Sequence, residues 1–394
     1  PCWSVTNMDE LGDLGALAEF AEDQGCEVEA RSRGMETCIV VGKVYACELS
    51  SDGSLLVTKA AEKGDLMSLS LWEVASGREL LSLGTYYFSS LLPFFTADDQ
   101  HVAFGNWVRP VDGSSEIISF ANQNPTATAR SGDKQIVVVC YARPRLPQVV
   151  ECYSLKTFSL LSSFQTPEVS STSVGLNIDG TLGVLLTRPH LNVTHQLSVF
   201  RSDTGTVVAS VELPTHVTSY RPVVFSPVSP GVLLLGEFSD RLYLVRINVA
   251  GASLELEAIA DHHVMAKFTP TGLLAYATPG LLFQLHFWCP EAHRRILTVE
   301  SQAISVRNPY FTPDGERFIV GDERHVRLVD TPTPAPDAHT HELALTNSMD
   351  LSSPSLSGVL CVAFSSNCCV AAVAHQDRRV RVWRIDRCLV KAAA

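Results

Sequence analysis

Two short runs of the sequence contain residue types that bind metal ions. One is Asp-His-His at 261–263, and the other is His-Thr-His-Glu at 339–342. Imidazoles and carboxylates are ligands of zinc and iron, but a helical site of this kind needs two histidines four residues apart on one face. Neither run has that spacing, and the second follows a proline-rich stretch. We therefore expect solvated loop histidines, and the sequence predicts no metal site and no cofactor.

Motifs for covalent catalysis and phosphate binding are missing as well. The sequence has no Gly-x-Ser-x-Gly elbow, which would expose a serine nucleophile at a strand-to-helix turn. It also has no glycine-rich loop followed by Lys and Ser or Thr, which would hold the phosphates of a nucleotide. No catalytic residue is assigned, and the sequence predicts a protein that is not an enzyme.

The run "HQDRRVRVWRID" at 375–386 has the strongest basic character in the chain. Its arginines and valines alternate, which is typical of a β-strand with two different faces. Arg379 and Arg381 fall on the same face. We expect that face to be solvated, and an acidic partner protein is the alternative ligand for these two arginines.

Composition sets limits on the class of protein. The chain has 394 residues, of which 46% are hydrophobic and 18% charged, and its mean hydropathy is +0.13. These values predict a large core of buried strands. The net charge of −12 argues against general nucleic-acid binding, which needs a basic surface. No apolar run reaches the length of a membrane span.

The eleven cysteines are irregularly spaced and include no Cys-x-x-Cys pair. Cys140, Cys361 and Cys369 lie within apolar runs, where a free cysteine behaves as a small buried hydrophobic residue. This usage predicts an intracellular, reducing compartment: the cytoplasm or the nucleus, with an organelle left open. Because the sequence starts at Pro1, we expect a processed form or a part of a longer protein.

Residues 1–34 form an acidic extension that differs from the rest of the chain. Residues 1–30 contain eight acidic residues and no Lys or Arg. Within them, the stretch 6–25 has the apolar spacing of an amphipathic helix that starts at a Thr or Asn cap. The helix either packs on the rest of the protein or docks a partner protein. The residues proposed for docking are Leu11, Leu14, Leu17 and Phe20.

The remainder, 35–394, contains an internal repeat. The clearest unit, residues 45–84, reads as four short strands separated by Asp-Gly and Ser-Gly turns. Similar units return at intervals that average about 45 residues, the period of a four-stranded propeller blade. Eight units are counted, and seven blades is the alternative. Their first strands begin near residues 45, 91, 126, 172, 221, 264, 308 and 359.

Three segments carry a resemblance to a known family. "LSLWEVASGREL" and "VRVWRID" resemble the third strand and following turn of WD-repeat proteins, and "FTPDGERFIVG" resembles their first turn and second strand. Trp72 and Trp383 occupy the position of the family's Trp, and Asp377 that of its turn Asp. The Gly-His pair that usually opens a repeat is absent. The resemblance implies an all-β fold: a single β-propeller of four-stranded WD-like blades, with the N-terminal helix outside the ring.

A propeller must close its ring so that no open sheet edge is left. The last repeat stops soon after its third strand. We expect a strand within residues 35–44 to complete the last blade.

The resemblance implies a non-catalytic scaffold that binds one or more proteins, as a subunit of a complex or as the propeller of a longer protein. The alternative is a propeller hydrolase of the lactonase type with a metal ion in the central channel. Its candidate ligands are Glu237, Asp240, His263 and Asp322. The sequence leaves the oligomeric state open.

Overall fold

The computed structural model contains strands and turns but no helix in the part of the chain that it describes. The helix predicted for 6–25 lies outside that part. The described residues are 3–5, 35–61, 66–87, 92–114, 117–120, 125–141, 147–166, 169–189, 194–213, 223–235, 241–261, 265–278, 283–301, 310–321, 326–331, 341–342, 349–351 and 359–385.

The strands are numbered in chain order. Two N-terminal strands come first, β1 (Trp3–Val5) and β2 (Met35–Val40). Blade 1 comprises β3 (Val44–Leu49), β4 (Leu55–Ala61), β5 (Leu66–Glu73) and β6 (Arg78–Tyr87). Blade 2 comprises β7 (Phe94–Phe95), β8 (His101–Phe104), β9 (Trp107–Pro110) and β10 (Ile118–Ser119). Blade 3 comprises β11 (Ala127–Arg130), β12 (Ile136–Tyr141), β13 (Gln148–Ser154) and β14 (Leu160–Thr166). Blade 4 comprises β15 (Val169–Leu176), β16 (Leu182–Pro189), β17 (Gln196–Arg201) and β18 (Val207–Glu212).

The second half of the ring continues the pattern. Blade 5 comprises β19 (Val224–Phe225), β20 (Val232–Leu235), β21 (Arg241–Asn248) and β22 (Ser253–Asp261). Blade 6 comprises β23 (Met265–Phe268), β24 (Leu274–Thr278), β25 (Phe283–Cys289) and β26 (Arg294–Ser301), with β30 (His341–Glu342) added. Blade 7 comprises β27 (Tyr310–Phe311), β28 (Arg317–Gly321), β29 (Val326–Asp330) and β31 (Met349–Asp350). Blade 8 comprises β32 (Val359–Phe364), β33 (Val370–His375) and β34 (Arg379–Arg384), joined by β2 and β1.

The eight sheets formed by the described strands are the blades of one propeller. Within each blade, consecutive strands pair antiparallel, and the first strands of neighbouring blades contact one another, for example β11 with β15 and β3 with β32. The first strands therefore surround the centre of the ring. The prediction of an all-β propeller with eight four-stranded blades is confirmed, and seven blades was the wrong alternative.

Each blade is covered on both faces by its neighbours, so its inner strands are apolar on both sides. All six residues of β33 are buried, for example, and the last five of β12 are buried as well. A strand buried on both faces reads as a continuous apolar run and not as an alternation. This packing explains the high hydrophobic content of the chain.

The turn between the first and second strands is built the same way in most blades. In blade 7, the Thr312 hydroxyl donates to Asp314 at 2.6 Å and accepts the Arg317 N–H at 3.0 Å. Asp314 also accepts the Glu316 N–H at 3.0 Å, and Gly315 adopts a φ of +72° that favours glycine. In equivalent turns, a Ser, Thr or Asn side chain accepts the N–H at the start of the second strand. Those side chains belong to Ser50, Thr96, Ser131, Asn177, Thr269 and Ser365.

The ring closes in blade 8 with a strand from the N-terminal side of the chain. β2, Met35–Val40, lies within the range 35–44 and pairs antiparallel with β34, with Ile39 opposite Val380. β1 adds a further, parallel strand outside β2. Ile39 and Val380 share one apolar cluster with Leu56 and Trp72 of blade 1. Closure therefore joins the two ends of the repeat in one core.

Candidate functional site

The two arginines of the basic strand do not form an exposed pair. Arg381 is only 3% exposed, and its guanidinium makes two hydrogen bonds to the Asp377 carboxylate, at 2.7 and 3.2 Å. Arg379 is half-buried, with its guanidinium 3.9 Å from the same carboxylate. The expectation of a solvated face is wrong for Arg381. That face lies between blades, because Trp383 on the same side of β34 packs with Ile319 of blade 7.

Asp377 lies in the turn between the second and third strands of blade 8. Its carboxylate accepts the Arg379 N–H at 3.3 Å, and the Arg378 N–H donates to the His375 carbonyl at 3.3 Å. Arg378 adopts a φ of +64°, which a tight turn requires at this point. The same carboxylate therefore contacts the turn and neutralises the buried Arg381. This geometry fits the structural role that the resemblance assigns to Asp377.

The two tryptophans that resemble the family's Trp are both fully buried, but their indole N–H groups differ. In blade 1, Trp72 Nε1 donates to the Thr58 hydroxyl at 2.9 Å. Thr58 lies two residues after the residue that pairs with Trp72. The same position in blade 8 is occupied by Val373, which lies two residues after the residue that pairs with Trp383. Trp383 Nε1 consequently has no acceptor among the described residues.

Most of the other predicted site residues lie outside the described residues. This applies to the docking side of the N-terminal helix (Leu11, Leu14, Leu17, Phe20) and to the hydrolase alternative (Glu237, Asp240, His263, Asp322). Of the two metal-binding runs, Asp261 is described, and it pairs with Arg241 at 2.8 Å on the exposed end of β22. His341 and Glu342 form β30, whose backbone pairs with β26. Within the described part of the chain, no group of three or more His, Cys, Asp or Glu residues could hold a metal ion.

The described residues line a cavity of about 490 Å³ at the centre of the ring. Its walls come from the first strands of blades 1 to 5 and the turns that follow them. Phe94, Val174 and Phe225 contribute apolar surface on three different blades. Two partly exposed aliphatic side chains, Leu92 and Ile178, stand in the same wall. The recess therefore offers an apolar surface to a ligand that enters from solvent.

A compact charged group crosses the recess from blade 1 to blade 3. The Glu48 carboxylate lies 2.7 Å from the Arg130 guanidinium and 3.1 Å from the Lys134 ammonium. The Arg130 guanidinium also lies over the Phe94 ring, 5.0 Å from its centroid. These contacts fix Arg130 in place and leave the cluster with one positive charge more than its single carboxylate balances.

Close backbone packing on the opposite side gives the recess a rigid wall. The Val223 N–H donates to the Ser173 hydroxyl at 3.2 Å, which links blade 5 to blade 4. A Cβ at Gly175 would lie 2.5 Å from the Val223 carbonyl oxygen, so the approach of these strands requires glycine. The recess therefore combines an apolar wall with a charged cluster on its other side. It shows no nucleophile paired with a base in the described residues.

Sequence reasoning missed this recess. Glu48 and Arg130 are 82 residues apart and lie in strands that share no local motif. The available signal was the repeat itself, since equivalent first-strand positions of different blades meet at the centre of a ring.

The comparisons with known proteins agree with the architecture. Residues 348–384, which include most of blade 8, match the family model "WD domain, G-beta repeat". No curated protein is significantly similar to the chain. Among solved structures, the C-terminal WD40 domain of Sif2 is similar with a TM-score of 0.55 and 12% sequence identity. The match covers 88% of this chain and 97% of that one.

No helix in the described residues is both long and apolar enough to cross a membrane.

At 12% sequence identity the structural likeness shows the fold alone, while the family model identifies a repeat at the end of the ring. The predicted resemblance is confirmed: the chain is an eight-bladed β-propeller of the WD40 fold, with a recognisable WD repeat in its last blade.

Proposed function

We propose that this propeller is a non-catalytic scaffold that binds one or more proteins through the central recess. WD40 propellers typically serve as interaction scaffolds and are generally non-catalytic. The observation that carries the proposal for this chain is the cavity of about 490 Å³, with apolar walls and the Glu48–Arg130 pair. A rigid scaffold that presents such a recess binds a segment at low cost in conformational entropy.

The ligand that suits the recess is a peptide segment with one apolar anchor side chain. Buried anchor side chains supply most of the binding energy at protein interfaces. Leu92 and Ile178 would contact the anchor, and Arg130 would attract an acidic neighbour in the same segment. Arg130 and Lys134 carry two positive charges beside one carboxylate, and the excess positive charge favours an acidic over a basic peptide.

The N-terminal extension supplies the second proposed contact. Residues 6–34 connect β1 to β2, which run parallel and lie at the outer edge of blade 8. Parallel neighbours need a crossover connection, which is usually helical. The apolar side formed by Leu11, Leu14, Leu17 and Phe20 would bind a partner there. The chain would then act as a subunit of a complex or as the propeller of a longer protein.

The proposed setting is a reducing intracellular compartment. The supporting observation is that several cysteines are thiols and not disulfides, even where they lie in the core. These are Cys47, Cys140, Cys152, Cys289, Cys361 and Cys369.

The test uses two matched substitutions, Leu92→Asp and Ile117→Asp. Both residues are 57% exposed, so neither change should unfold the protein, but Leu92 lines the recess and Ile117 immediately precedes the edge strand of blade 2. Tagged chain would be recovered from the source cells at physiological salt, and bound proteins would be quantified by mass spectrometry. We expect a stoichiometric partner that is lost with Leu92→Asp and retained with Ile117→Asp.

Two further outcomes decide between the parts of the proposal. A partner retained by Leu92→Asp but lost by Leu14→Asp with Leu17→Asp would move the site from the recess to the N-terminal extension. No stoichiometric partner, together with close to one metal ion per chain, would contradict the scaffold and favour the hydrolase alternative.

A further inference from the structure

Two thiols meet at the inner side of the junction where the ring closes. Cys47 lies in β3, the first strand of blade 1, and Cys361 lies in β32, the first strand of blade 8. Their sulfur atoms are 3.3 Å apart, although the residues are 314 positions apart in the chain. We propose that Cys47 and Cys361 are an oxidation site, at which a reversible disulfide joins the first blade to the last.

The surrounding structure places both sulfurs for this reaction. The distance of 3.3 Å must shorten by about 1.2 Å to reach the length of a disulfide bond. Both strands are irregular close to the cysteines, with a shift in pairing between Val44 and Ala46 and another between Val359 and Cys361. Strands with such bulges are locally bent and leave a residue outside the regular ladder. A side-chain rotation with a small backbone adjustment can therefore bring the sulfurs together.

The reaction needs an oxidant that reaches a half-buried thiol, and a hydroperoxide is small enough. The Cys47 thiolate attacks one peroxide oxygen, which forms a sulfenic acid on Cys47 and, with a proton, releases water or an alcohol. The Cys361 sulfur then attacks the Cys47 sulfur, and the sulfenic oxygen leaves as water. Two thiols are oxidised, one peroxide is reduced, and a thiol reductant reverses the product.

Cys47 is the thiol expected to react first. It is half-buried, whereas Cys361 is buried. The hydrogen bond with Cys361, reinforced by burial, holds the pKa of Cys47 well above its usual range. Only a small fraction is thiolate at neutral pH, so oxidation should be slow at pH 7 and faster at alkaline pH. The site would respond to sustained and not to brief exposure to peroxide.

The product would act as a second clasp for the ring. The first clasp is the pairing of β2 with β34 at the outer part of blade 8. A disulfide between β3 and β32 would close the ring at its centre, within the apolar cluster that joins blades 8 and 1. Cross-links that enclose long loops stabilise a fold most, because they restrict the unfolded chain most.

The experiment treats the reduced chain with hydrogen peroxide at pH 7 and at pH 9, and maps disulfides by mass spectrometry of non-reduced digests. The test variant is Cys47→Ser, at a half-buried position where serine should be tolerated. The matched control is Cys289→Ser, since Cys289 is also half-buried but lies at the end of β25 in blade 6. Cys361→Ser serves as the second test variant.

We expect a linked peptide containing Cys47 and Cys361 in the original chain and in Cys289→Ser, formed at least about tenfold faster at pH 9 because the thiolate fraction rises with pH. Oxidation should raise the melting temperature by about 5 °C, and a reductant should reverse the rise. Cys47→Ser should lack both the linked peptide and the shift. The proposal is overturned if no Cys47–Cys361 peptide forms at either pH. It is equally overturned if oxidation shifts the melting temperature of Cys47→Ser as much as that of the original chain.

Discussion

Removing one partner of the buried ion pair in blade 8 should be among the most destabilising single changes to the ring. Asp377 and Arg381 form two hydrogen bonds, and their side chains are 12% and 4% exposed. Replacing Asp377 with Ala would leave the Arg381 guanidinium buried between blades 7 and 8 without its counter-charge. An unpaired charge at such a position costs far more than the lost contact itself.

The magnitude follows from the burial. Breaking a buried pair by removing one partner destabilises a protein by about 3–5 kcal/mol, and Asp377→Ala should fall in this range. Arg381→Met should cost less, because Asp377 is closer to solvent and keeps the N–H of Arg379 as a donor. The double variant should be more stable than Asp377→Ala alone, since removing both charges removes the unpaired one. A double-mutant cycle should therefore give a coupling energy of about 2 kcal/mol or more.

The assay is urea unfolding followed by circular dichroism, with Arg201 and Asp203 as the reference pair. These two side chains are also in contact, at 3.2 Å, but they are 50% and 58% exposed. Asp203→Ala should change the free energy of unfolding by about 1 kcal/mol or less. If Asp377→Ala costs no more than Asp203→Ala, a buried Arg381 guanidinium without its counter-charge is not strongly destabilising and the reasoning is refuted.

Three other changes test separate parts of the core. Thr58→Val keeps the shape of the side chain but leaves the Trp72 N–H without its acceptor, so the free energy of unfolding should fall by about 1–3 kcal/mol. A fall of less than about 0.5 kcal/mol, which is typical of surface substitutions, would contradict this prediction. Burial, reinforced by a neighbouring arginine, lowers the pKa of His286 to about 4, so the unfolded chain takes up a proton from pH 6.5 downwards before the native chain does. Stability should fall by up to about 3 kcal/mol between pH 6.5 and 4, and His286→Gln should flatten that dependence in urea titrations; an unchanged slope would show that other groups cause it. Gly183→Val would place a Cβ 2.1 Å from the Phe200 ring, and should lower the melting temperature well below that of Gly113→Ala, where space is open and only the φ of +83° disfavours a side chain.

The fold could be predicted because a propeller repeats one local pattern. The Thr-Pro-Asp-Gly turn at 312–315 carries the hydroxyl, carboxylate and glycine that its hydrogen bonds require, and related turns recur along the chain. Turn chemistry and strand alternation are local, so one sequence is enough to find their period. The last repeat also lacks a fourth strand of its own, which predicts a closing strand from the N-terminal side of the chain, where β2 lies.

Burial of the arginines could not be predicted from the strand pattern alone. The alternation of Arg and Val in β34 is typical of a sheet with one solvent-exposed face, and this pattern predicts both arginines on that face. In a ring, each inner strand has a neighbouring blade on either side, so Arg381 enters an interface and needs Asp377 as its partner. Asp377 and Arg381 are only four residues apart in the sequence. Its meaning depends on blade 7, which the local pattern does not contain.

The recess was harder still, because its residues meet only after the ring has closed. Glu48, Arg130 and Lys134 come from blades 1 and 3, and each occupies an ordinary position in its own repeat. Each repeat, taken by itself, predicts the strands of its own blade but not which side chains of different blades meet at the centre of the ring. Blade 2 is an example, because its first strand has only two residues, Phe94–Phe95, and the Glu48 side chain of blade 1 contacts Arg130 of blade 3.

Ring closure connects the two proposals. β1 and β2 form the outer edge of blade 8 and flank residues 6–34 in the sequence, so the partner contact proposed for that extension is next in the chain to the closing strand β2. If β2 detached, β34 would become an open edge, which is the state that propellers avoid. The blade 1–blade 8 interface would then rest on its apolar cluster and on the contact of β3 with β32. A disulfide between Cys47 and Cys361 lies in that second contact. It would hold the ring, and therefore the recess, in the closed form while the N-terminal extension engages or releases a partner.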